Sequence, residues 1–259
     1  MSPTFLPALF AALFGFSLGS FGSVLLSRIP AGETLHGRSH CPHCREMLHW
    51  YDLIPLLSFL LLKGQCRYCK KSISWKYPFM EAITALCSVL LITALAPLPI
   101  PALLALSTAA FAFLLIAFYD FETKNIPDVF IAIAFLSALL FQTFVAEVRE
   151  SSSLQDAFLG AAVPLTFFGG LWLMSRGEWI GSGDILLGVA IGLLLGLKFT
   201  LLALFLAYTL GACVALVLLL SGRAQRKSRL AFGPFLSGGA LLALFFGDWF
   251  LHRYYSFFV

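Results

Sequence analysis

The chain has 259 residues, of which 60% are hydrophobic and only 12% are charged, and its mean hydropathy is +0.92. Soluble domains carry about 25% charged residues, so this composition excludes a soluble globular protein. The net charge of +4 reflects the placement of basic residues in loops and gives no reason to expect a nucleic-acid partner.

Apolar runs of about 20 residues are long enough to cross the core of a bilayer. We place eight such runs and predict an all-α polytopic membrane protein with about eight transmembrane helices. They cover residues 5–27, 79–96, 101–119, 129–146, 157–175, 185–197, 199–220 and 232–251. The sixth run is short, and its Gly188, Gly192 and Gly196 recur every four residues, a spacing typical of close helix packing.

Lysine and arginine residues predict the orientation of these spans, because they accumulate on the cytosolic side. Three of the 17 lie on one side of the membrane: Arg149, Lys198 and Arg253. The other fourteen are Arg28, Arg38, Arg45, Lys63, Arg67, Lys70, Lys71, Lys76, Lys124, Arg176, Arg223, Arg226, Lys227 and Arg229. We therefore expect residues 28–78 to be cytosolic and both termini to lie outside.

The polar segment after the first run contains two Cys-x-x-Cys pairs, Cys41 with Cys44 and Cys66 with Cys69. Four cysteines at this spacing are typical of a closed, tetrahedral zinc site with a structural role. A cytosolic compartment also keeps thiols reduced. We therefore predict a small zinc-binding cytosolic domain, with disulfide bonds and redox chemistry as the alternatives.

Two aspartates border apolar runs, where charged side chains are costly and usually functional. Counting spans places Asp120 at the end of the third run and Asp184 at the start of the sixth, at the same membrane face. Two neighbouring carboxylates share one proton, so one takes a proton from water while the other polarises a carbonyl, as in aspartic proteases. Gly181 and Gly183 allow close approach of another segment to this loop. Separate helix caps, or a salt bridge with Lys124, remain as alternatives.

Several motifs, in order along almost the whole chain, resemble those of type IV prepilin peptidases. Asp120 with Ile126-Pro127-Asp128, and Gly181-Ser182-Gly183-Asp184, are similar to the two catalytic motifs of that family. The cysteine pairs through Tyr77-Pro78-Phe79-Met80-Glu81 resemble its zinc-bearing loop. Its first and last spans have signatures similar to Gly19-Ser20-Phe21, Arg28-Ile29-Pro30 and Phe232-Gly233-Pro234-Phe235.

The resemblance implies a bifunctional, multi-pass enzyme of the bacterial inner membrane. Such enzymes cleave the leaders of type IV prepilins and type II secretion pseudopilins at the cytosolic face. They then N-methylate the new N-terminal residue with S-adenosylmethionine. Asp120 and Asp184 are implied as the catalytic pair, with the base left unassigned, and we interpret Asp128 as the start of a helix. The partners are the prepilin substrates and the lipid bilayer, and the oligomeric state is left open.

Three regions follow from this interpretation: a first transmembrane helix at 1–27, a zinc-ribbon-like domain at 28–78 linked to methyl transfer, and a seven-helix peptidase domain at 79–259. Gly64 and Glu81 match family positions and are predicted to belong to the S-adenosylmethionine site. Glu81 has two open roles, binding the substrate amine or pairing with a basic loop residue. Ser23 (or its neighbour Gly22) and Leu53 stand where the family usually has asparagine, so a peptidase without methyltransferase activity is the alternative.

Three other functional classes are less consistent with the sequence. A transporter is disfavoured because the chain shows no internal repeat and its carboxylates lie at a membrane edge rather than the midplane. A non-enzymatic assembly protein is disfavoured because both aspartates and both neighbouring glycines are present. A presenilin-type intramembrane protease shares the Gly-x-Gly-Asp motif, but the cysteine loop and the Phe232-Gly233-Pro234 signature favour the prepilin enzyme.

Overall fold

The structure, a computed structural model, describes residues 5–95, 98–146, 152–223, 225 and 230–256. Within these ranges it contains helices and isolated bridges but no β-strand, which confirms the predicted all-α class. The helices are α1 Phe5–Ala31, α2 Leu57–Leu61, α3 Lys76–Ala94, α4 Ile100–Thr123, α5 Asp128–Ala146, α6 Ser152–Ser175, α7 Ser182–Leu220 and α8 Gly233–Tyr255. All except α2 are long and apolar enough to cross a membrane.

Four of the basic residues used to predict the orientation lie outside the described residues: Arg149, Arg226, Lys227 and Arg229. The chain divides into two compact units, Met1–Ala96 and Pro97–Val259, here called the first and second unit.

In the first unit, α1 packs against α3 through glycines. A Cβ atom on Gly15 would lie 2.6 Å from the Cα of Ala85, and one on Gly19 would lie 2.6 Å from the Cα of Glu81. No larger residue fits at either position without moving a backbone, so these glycines allow close contact of two apolar helices. The segment between the helices holds the cysteine pairs, a single 3₁₀ turn at Trp50–Leu53 and the short α2.

In the second unit, α4 and α5 form a hairpin, and Asp128 is the first residue of α5, as predicted. The α5 helix is fixed to α7 by the Gln142 side-chain amide, which donates to the backbone carbonyl of Leu193 at 2.6 Å. The α6 helix packs on α7 where Gly160 meets Gly192, which confirms the close contact expected from the glycine spacing. These contacts place the N-terminal end of α7 beside the loop between α4 and α5.

The helix α7 contains both the sixth and the seventh predicted spans, which explains why eight runs form seven long helices. Its 39 residues are interrupted at Gly196, where φ is 74° and ψ is 175°, a conformation that L side chains rarely adopt. Gly188 and Tyr208 both contact the ring of Phe168. In a straight helix they would lie about 30 Å apart, so residues 197–220 fold back along residues 182–195. The helix α7 therefore consists of two helical segments that run in opposite directions.

Candidate active site and metal centre

Asp120 lies in the last turn of α4, and its side chain is buried, with 5% of its surface exposed. The helix ends four residues later at Lys124, whose backbone N–H donates to the carbonyl of Asp120 at 2.8 Å. Lys124 contributes no ion pair to Asp120 among the described residues. The salt bridge considered from the sequence is therefore not what holds this carboxylate.

The N-terminus of α8 holds Asp120 instead. The backbone N–H of Gly233, the first residue of α8, donates to Oδ2 of Asp120 at 2.8 Å. A Cβ atom on Gly233 would lie 2.7 Å from the same oxygen, so glycine is required for this approach. A helix N-terminus presents free N–H groups and a positive dipole end, both of which stabilise a carboxylate. The sequence showed Gly233 as part of a signature but did not reveal this role.

Asp184 is the third residue of α7 and is half-buried. The backbone N–H of Gly181 donates to its Oδ2 at 3.3 Å. A Cβ atom on Gly183 would lie 3.2 Å from the Cβ of Ile126, in the loop that joins α4 to α5. Both predicted loop glycines therefore have a local function: one binds the carboxylate and the other lets the two loops meet.

The segments that carry the two aspartates meet, because Gly183 precedes Asp184 and contacts Ile126, six residues after Asp120. The ring of Tyr208 packs on Phe232 with 5.1 Å between centroids. Phe168 packs against both rings. The ends of α4, α7 and α8 thus bring two carboxylates together beside an aromatic cluster. Sequence reasoning placed the carboxylates at one face but missed the aromatic cluster, because its members lie in different helices with no common motif.

The four cysteines of the first unit form one cluster, with all four sulfur atoms within 4.8 Å of one another. The sulfurs of Cys41 and Cys69 are 3.9 Å apart, and none of the four forms a disulfide. A tetrahedral zinc ion with Zn–S bonds of about 2.3 Å needs sulfurs about 3.8 Å apart. The donor set and spacing fit zinc, and they exclude the disulfide alternative for this conformation.

Each cysteine pair is held in the same backbone turn. The N–H of Arg45 donates to the carbonyl of Cys41 at 2.9 Å, and the N–H of Lys70 donates to the carbonyl of Cys66 at 3.0 Å. Both Arg45 and Lys70 have φ of 58°. A short antiparallel bridge closes each turn. The local sequence therefore builds two equivalent knuckles, and their meeting forms the cluster.

The thiols of the cluster favour ionisation of Cys41 and oppose ionisation of Cys44. Burial raises the pKa of Cys41, but the backbone N–H groups of Cys44 and His43 outweigh it and lower the pKa to about 7. At Cys44 the Glu46 backbone also favours the thiolate, but burial and the neighbouring Cys41 and Cys69 prevail and raise its pKa to about 11. Four thiolates therefore need a bound cation to be ionised together.

An ion pair supports the second knuckle from the 3₁₀ turn. Arg67 Nε donates to Asp52 Oδ1 at 2.7 Å, and the Tyr68 hydroxyl donates to Oδ2 at 3.1 Å. Burial opposes ionisation of Asp52, but the hydrogen bonds from Arg67, the His49 backbone and Tyr68 outweigh it and hold its pKa below 3.8. Asp52 is a structural residue that the sequence analysis did not identify.

A cavity of about 690 Å³ lies within the first unit, between α1, the cysteine loop and the start of α3. Glu81 lines it, and its Oε2 accepts a hydrogen bond from the backbone N–H of Leu56 at 2.8 Å. Ser23 and Leu53, where the family usually has asparagine, line the same cavity. Gly64 is not among the lining residues; its φ of 70° and its contact with Phe59 place it in the turn before the second knuckle.

Models of known families match both units. The bacterial peptidase A24 N-terminal domain matches residues 13–95, and the type IV leader peptidase family matches residues 107–216. The interval between the two matches contains the boundary between the units.

Curated relatives match most of the chain. A prepilin leader peptidase/N-methyltransferase of Bacillus subtilis (strain 168) is 33% identical over 243 residues, covering 91% of this chain and 93% of the relative. A prepilin leader peptidase/N-methyltransferase of Burkholderia pseudomallei (strain 1026b) is 33% identical, covering 95% of this chain and 87% of the relative. A type 4 prepilin-like proteins leader peptide-processing enzyme of Escherichia coli O78:H11 is 32% identical and covers 94% and 95%. No solved structure matches the chain.

Proposed function

Because the chain belongs to the type IV leader peptidase family, we propose that it cleaves the leader peptides of type IV prepilins and pseudopilins and N-methylates the new N-terminus. The meeting of Asp120 and Asp184 at the ends of α4 and α7 is the observation that carries the peptidase proposal. The names of the relatives support the two activities together.

In the proposed cleavage, the two carboxylates share one proton. The ionised carboxylate takes a proton from water, the resulting hydroxide adds to the scissile carbonyl, and the protonated carboxyl donates to the carbonyl oxygen. The tetrahedral intermediate then breaks its C–N bond: the first carboxyl gives the proton it took from water to the leaving amine nitrogen, and the second carboxylate takes back a proton from a hydroxyl as the carboxyl product forms. The Gly233 and Gly181 N–H groups fix one oxygen of each side chain, so the remaining oxygens are available to water and substrate. Because the two carboxyl groups titrate together, their pKa values belong to the pair and not to either residue.

The proposed location follows from seven apolar helices, of which α7 reverses at Gly196 and supplies two passes, and from the distribution of basic residues. The protein lies in the inner membrane of a bacterium, with both termini outside and the Asp120–Asp184 pair at the cytosolic face. This depth suits a substrate whose polar leader stays in the cytosol while the following apolar segment is in the bilayer.

We further propose that the four cysteines bind one structural zinc ion. Four sulfur ligands close the coordination shell and leave no position for substrate or water. Zinc at this site would join the two knuckles, which contain too few apolar residues to form a core of their own. Its chemistry is therefore structural.

The proposed methyl-transfer site is the cavity of the first unit. Its volume of about 690 Å³ lies in the range of small-molecule sites, and Glu81 provides a carboxylate in its wall. Gly64 supports this site from the turn before the second knuckle. S-adenosylmethionine would supply the methyl group. Peptidase activity alone is the second candidate function, since Ser23 and Leu53 replace two amides in the cavity wall.

The proposed function can be tested with the purified full-length protein and a prepilin substrate. Asp120→Asn and Asp184→Asn should each lower the rate of leader cleavage by about 100- to 10,000-fold, because one member of the pair can no longer exchange a proton. Asp248→Asn, an exposed position near the end of α8, is the matched control and should cleave normally. Wild-type cleavage by either Asp120→Asn or Asp184→Asn would contradict the catalytic pair.

Methyl transfer requires a separate measurement. Mass spectrometry of the cleaved substrate should show the added mass of one methyl group when S-adenosylmethionine is supplied. Complete cleavage without that mass would support the peptidase-only alternative.

A further inference from the structure

Glu81 is a buried carboxylate whose contacts provide no balancing positive charge. Only 9% of its surface is exposed. Its Oε2 accepts a hydrogen bond from a neutral donor, the backbone N–H of Leu56. Among the described residues, no lysine, arginine or histidine forms an ion pair with it. Of the two roles left open by the sequence, pairing with a basic loop residue is therefore not observed.

Two arginines that line the cavity have other partners, and the exposed Arg45 and His40 form no ion pair with Glu81 among the described residues. The buried guanidinium of Arg28 donates to the backbone carbonyls of Thr34, His36 and Arg38 at 3.0 to 3.2 Å. Arg67 pairs with Asp52. These two cations hold the loop in place and are not directed at Glu81.

A buried charge without an opposite charge is unfavourable, so the cavity wall at Glu81 is built to receive a cation. A carboxylate has about four acceptor positions, and the hydrogen bond from Leu56 leaves others free. A cation that carries N–H donors can use these positions, whereas a sulfonium ion has no donor. Chemical complementarity therefore favours an ammonium group, either that of a peptide N-terminus or the one on the methionine part of S-adenosylmethionine.

The position of Glu81 in the helix indicates which ammonium. It is the sixth residue of α3, just inside the start of an apolar helix. The wall of α1 that faces the same cavity combines small polar residues with apolar ones: Ser17, Ser20, Phe21, Val24 and Ser27. This wall suits the first turn of an apolar helix whose amino group lies at the membrane edge.

We propose that Glu81 binds the free N-terminal ammonium of the cleaved pilin and so holds the amine in the cavity of the first unit. This inference rests on the proposed function, since leader removal creates that ammonium. In this role Glu81 is a substrate-binding residue rather than a ligand of the cofactor. It gives the cavity selectivity for cleaved over uncleaved substrate, because the uncleaved chain has an uncharged amide nitrogen at this position.

The test is a binding measurement that needs no methyl transfer. Full-length protein in detergent is titrated with a fluorescent peptide of an apolar pilin N-terminus beginning with phenylalanine, with either a free or an acetylated amine. The wild type should bind the free amine about 10- to 100-fold more tightly, the range for a charge-assisted hydrogen bond. Glu81→Gln should weaken binding of the free amine to the level of the acetylated peptide and leave the acetylated peptide unchanged.

A matched variant separates charge recognition from structural damage. Glu33→Gln removes an exposed carboxylate on the rim of the same cavity and should keep the full preference for the free amine. The proposal would be overturned if Glu81→Gln lost affinity for both peptides equally, or if it kept the full preference for the free amine.

Leader cleavage distinguishes failure of this inference from failure of the proposed function. If Glu81→Gln retains the amine preference while the wild type cleaves prepilin, only the role of Glu81 is wrong. If the wild type does not cleave prepilin, the proposed function itself is wrong.

Discussion

Asp120 of the second unit and Glu81 of the first unit are held by the same kind of hydrogen bond. Each is a buried carboxylate in an apolar helix, and each accepts a backbone N–H from a segment distant in sequence, Gly233 for Asp120 and Leu56 for Glu81. Their surroundings differ. Asp120 lies beside the segment that carries Asp184, since Gly183 contacts Ile126, whereas Glu81 lines a cavity and accepts a hydrogen bond from a neutral backbone donor.

The comparison shows that anchoring fixes a carboxylate but does not decide its chemistry. A second carboxylate makes the pair share a proton, which suits hydrolysis. A cavity without a balancing charge suits the binding of a cation. The same residue class therefore serves two steps of the proposed reaction sequence, according to what lies opposite it.

Removal of zinc should have the largest effect, and it should disrupt the cavity of the first unit that contains Glu81. Zinc binding to such sites is worth about 10–16 kcal/mol, so chelation should unfold the segment that forms the cavity. We expect residues 36–75 to become sensitive to protease and the preference for a free amine to disappear. Metal analysis should give one zinc per chain before chelation, and a different metal or no metal would contradict the site.

Gly233→Ala should have the next largest effect, and it should disturb the position of Asp120 in the second unit. The new Cβ would lie 2.7 Å from Asp120 Oδ2 and must displace the carboxylate or the start of α8. A misplacement of about 1 Å costs on the order of 100-fold in rate, so leader cleavage should fall by about that factor. Binding of the free-amine peptide should not change.

The control for Gly233→Ala lies on the same helix. A Cβ atom on Gly238 would have no neighbour within 4 Å, so Gly238→Ala should cleave at the wild-type rate. Equal cleavage by both variants would show that the Gly233 contact does not position Asp120.

Asp52→Asn should have the smallest effect, and it should distinguish residues that stabilise the first unit from residues that bind substrate there. The pKa of Asp52 is held below 3.8 in the folded protein, so its charge stabilises the fold above that pH, and this contribution is lost as the pH falls through the folded value. The variant should therefore melt at a lower temperature at pH 7, and the difference should shrink below pH 4. A constant difference across this pH range would assign the effect to packing rather than charge.

Several features could be predicted from local sequence patterns. The apolar runs predicted the helices because each span must satisfy its backbone hydrogen bonds internally. The two Cys-x-x-Cys pairs predicted the sulfur cluster, since each knuckle is formed by a few consecutive residues. Counting spans placed Asp120 and Asp184 at one face, and the contact of Gly183 with Ile126 agrees with this.

Other features depend on contacts between distant residues and could not be predicted. The Gly233 contact joins residues 113 positions apart, and the Leu56 contact joins residues 25 apart. The reversal at Gly196 lies next to the boundary predicted at residue 198 between the sixth and seventh runs, but the glycine spacing, which also fits simple helix packing, gave no sign of the φ of 74° there. A motif identifies which residue is present but not which distant backbone group lies against it.

For this protein, sequence alone determined the membrane-spanning class, the cysteine pairs and the aspartates at the ends of their helices, because these follow from hydrophobicity, spacing and span length. Tertiary structure decided what each carboxylate faces. Asp120 faces a second carboxylate and a helix N-terminus, and Glu81 faces a cavity without a balancing cation. These differences arise from helix packing, in which small residues let particular backbones approach, and such contacts leave no periodic signal in the chain.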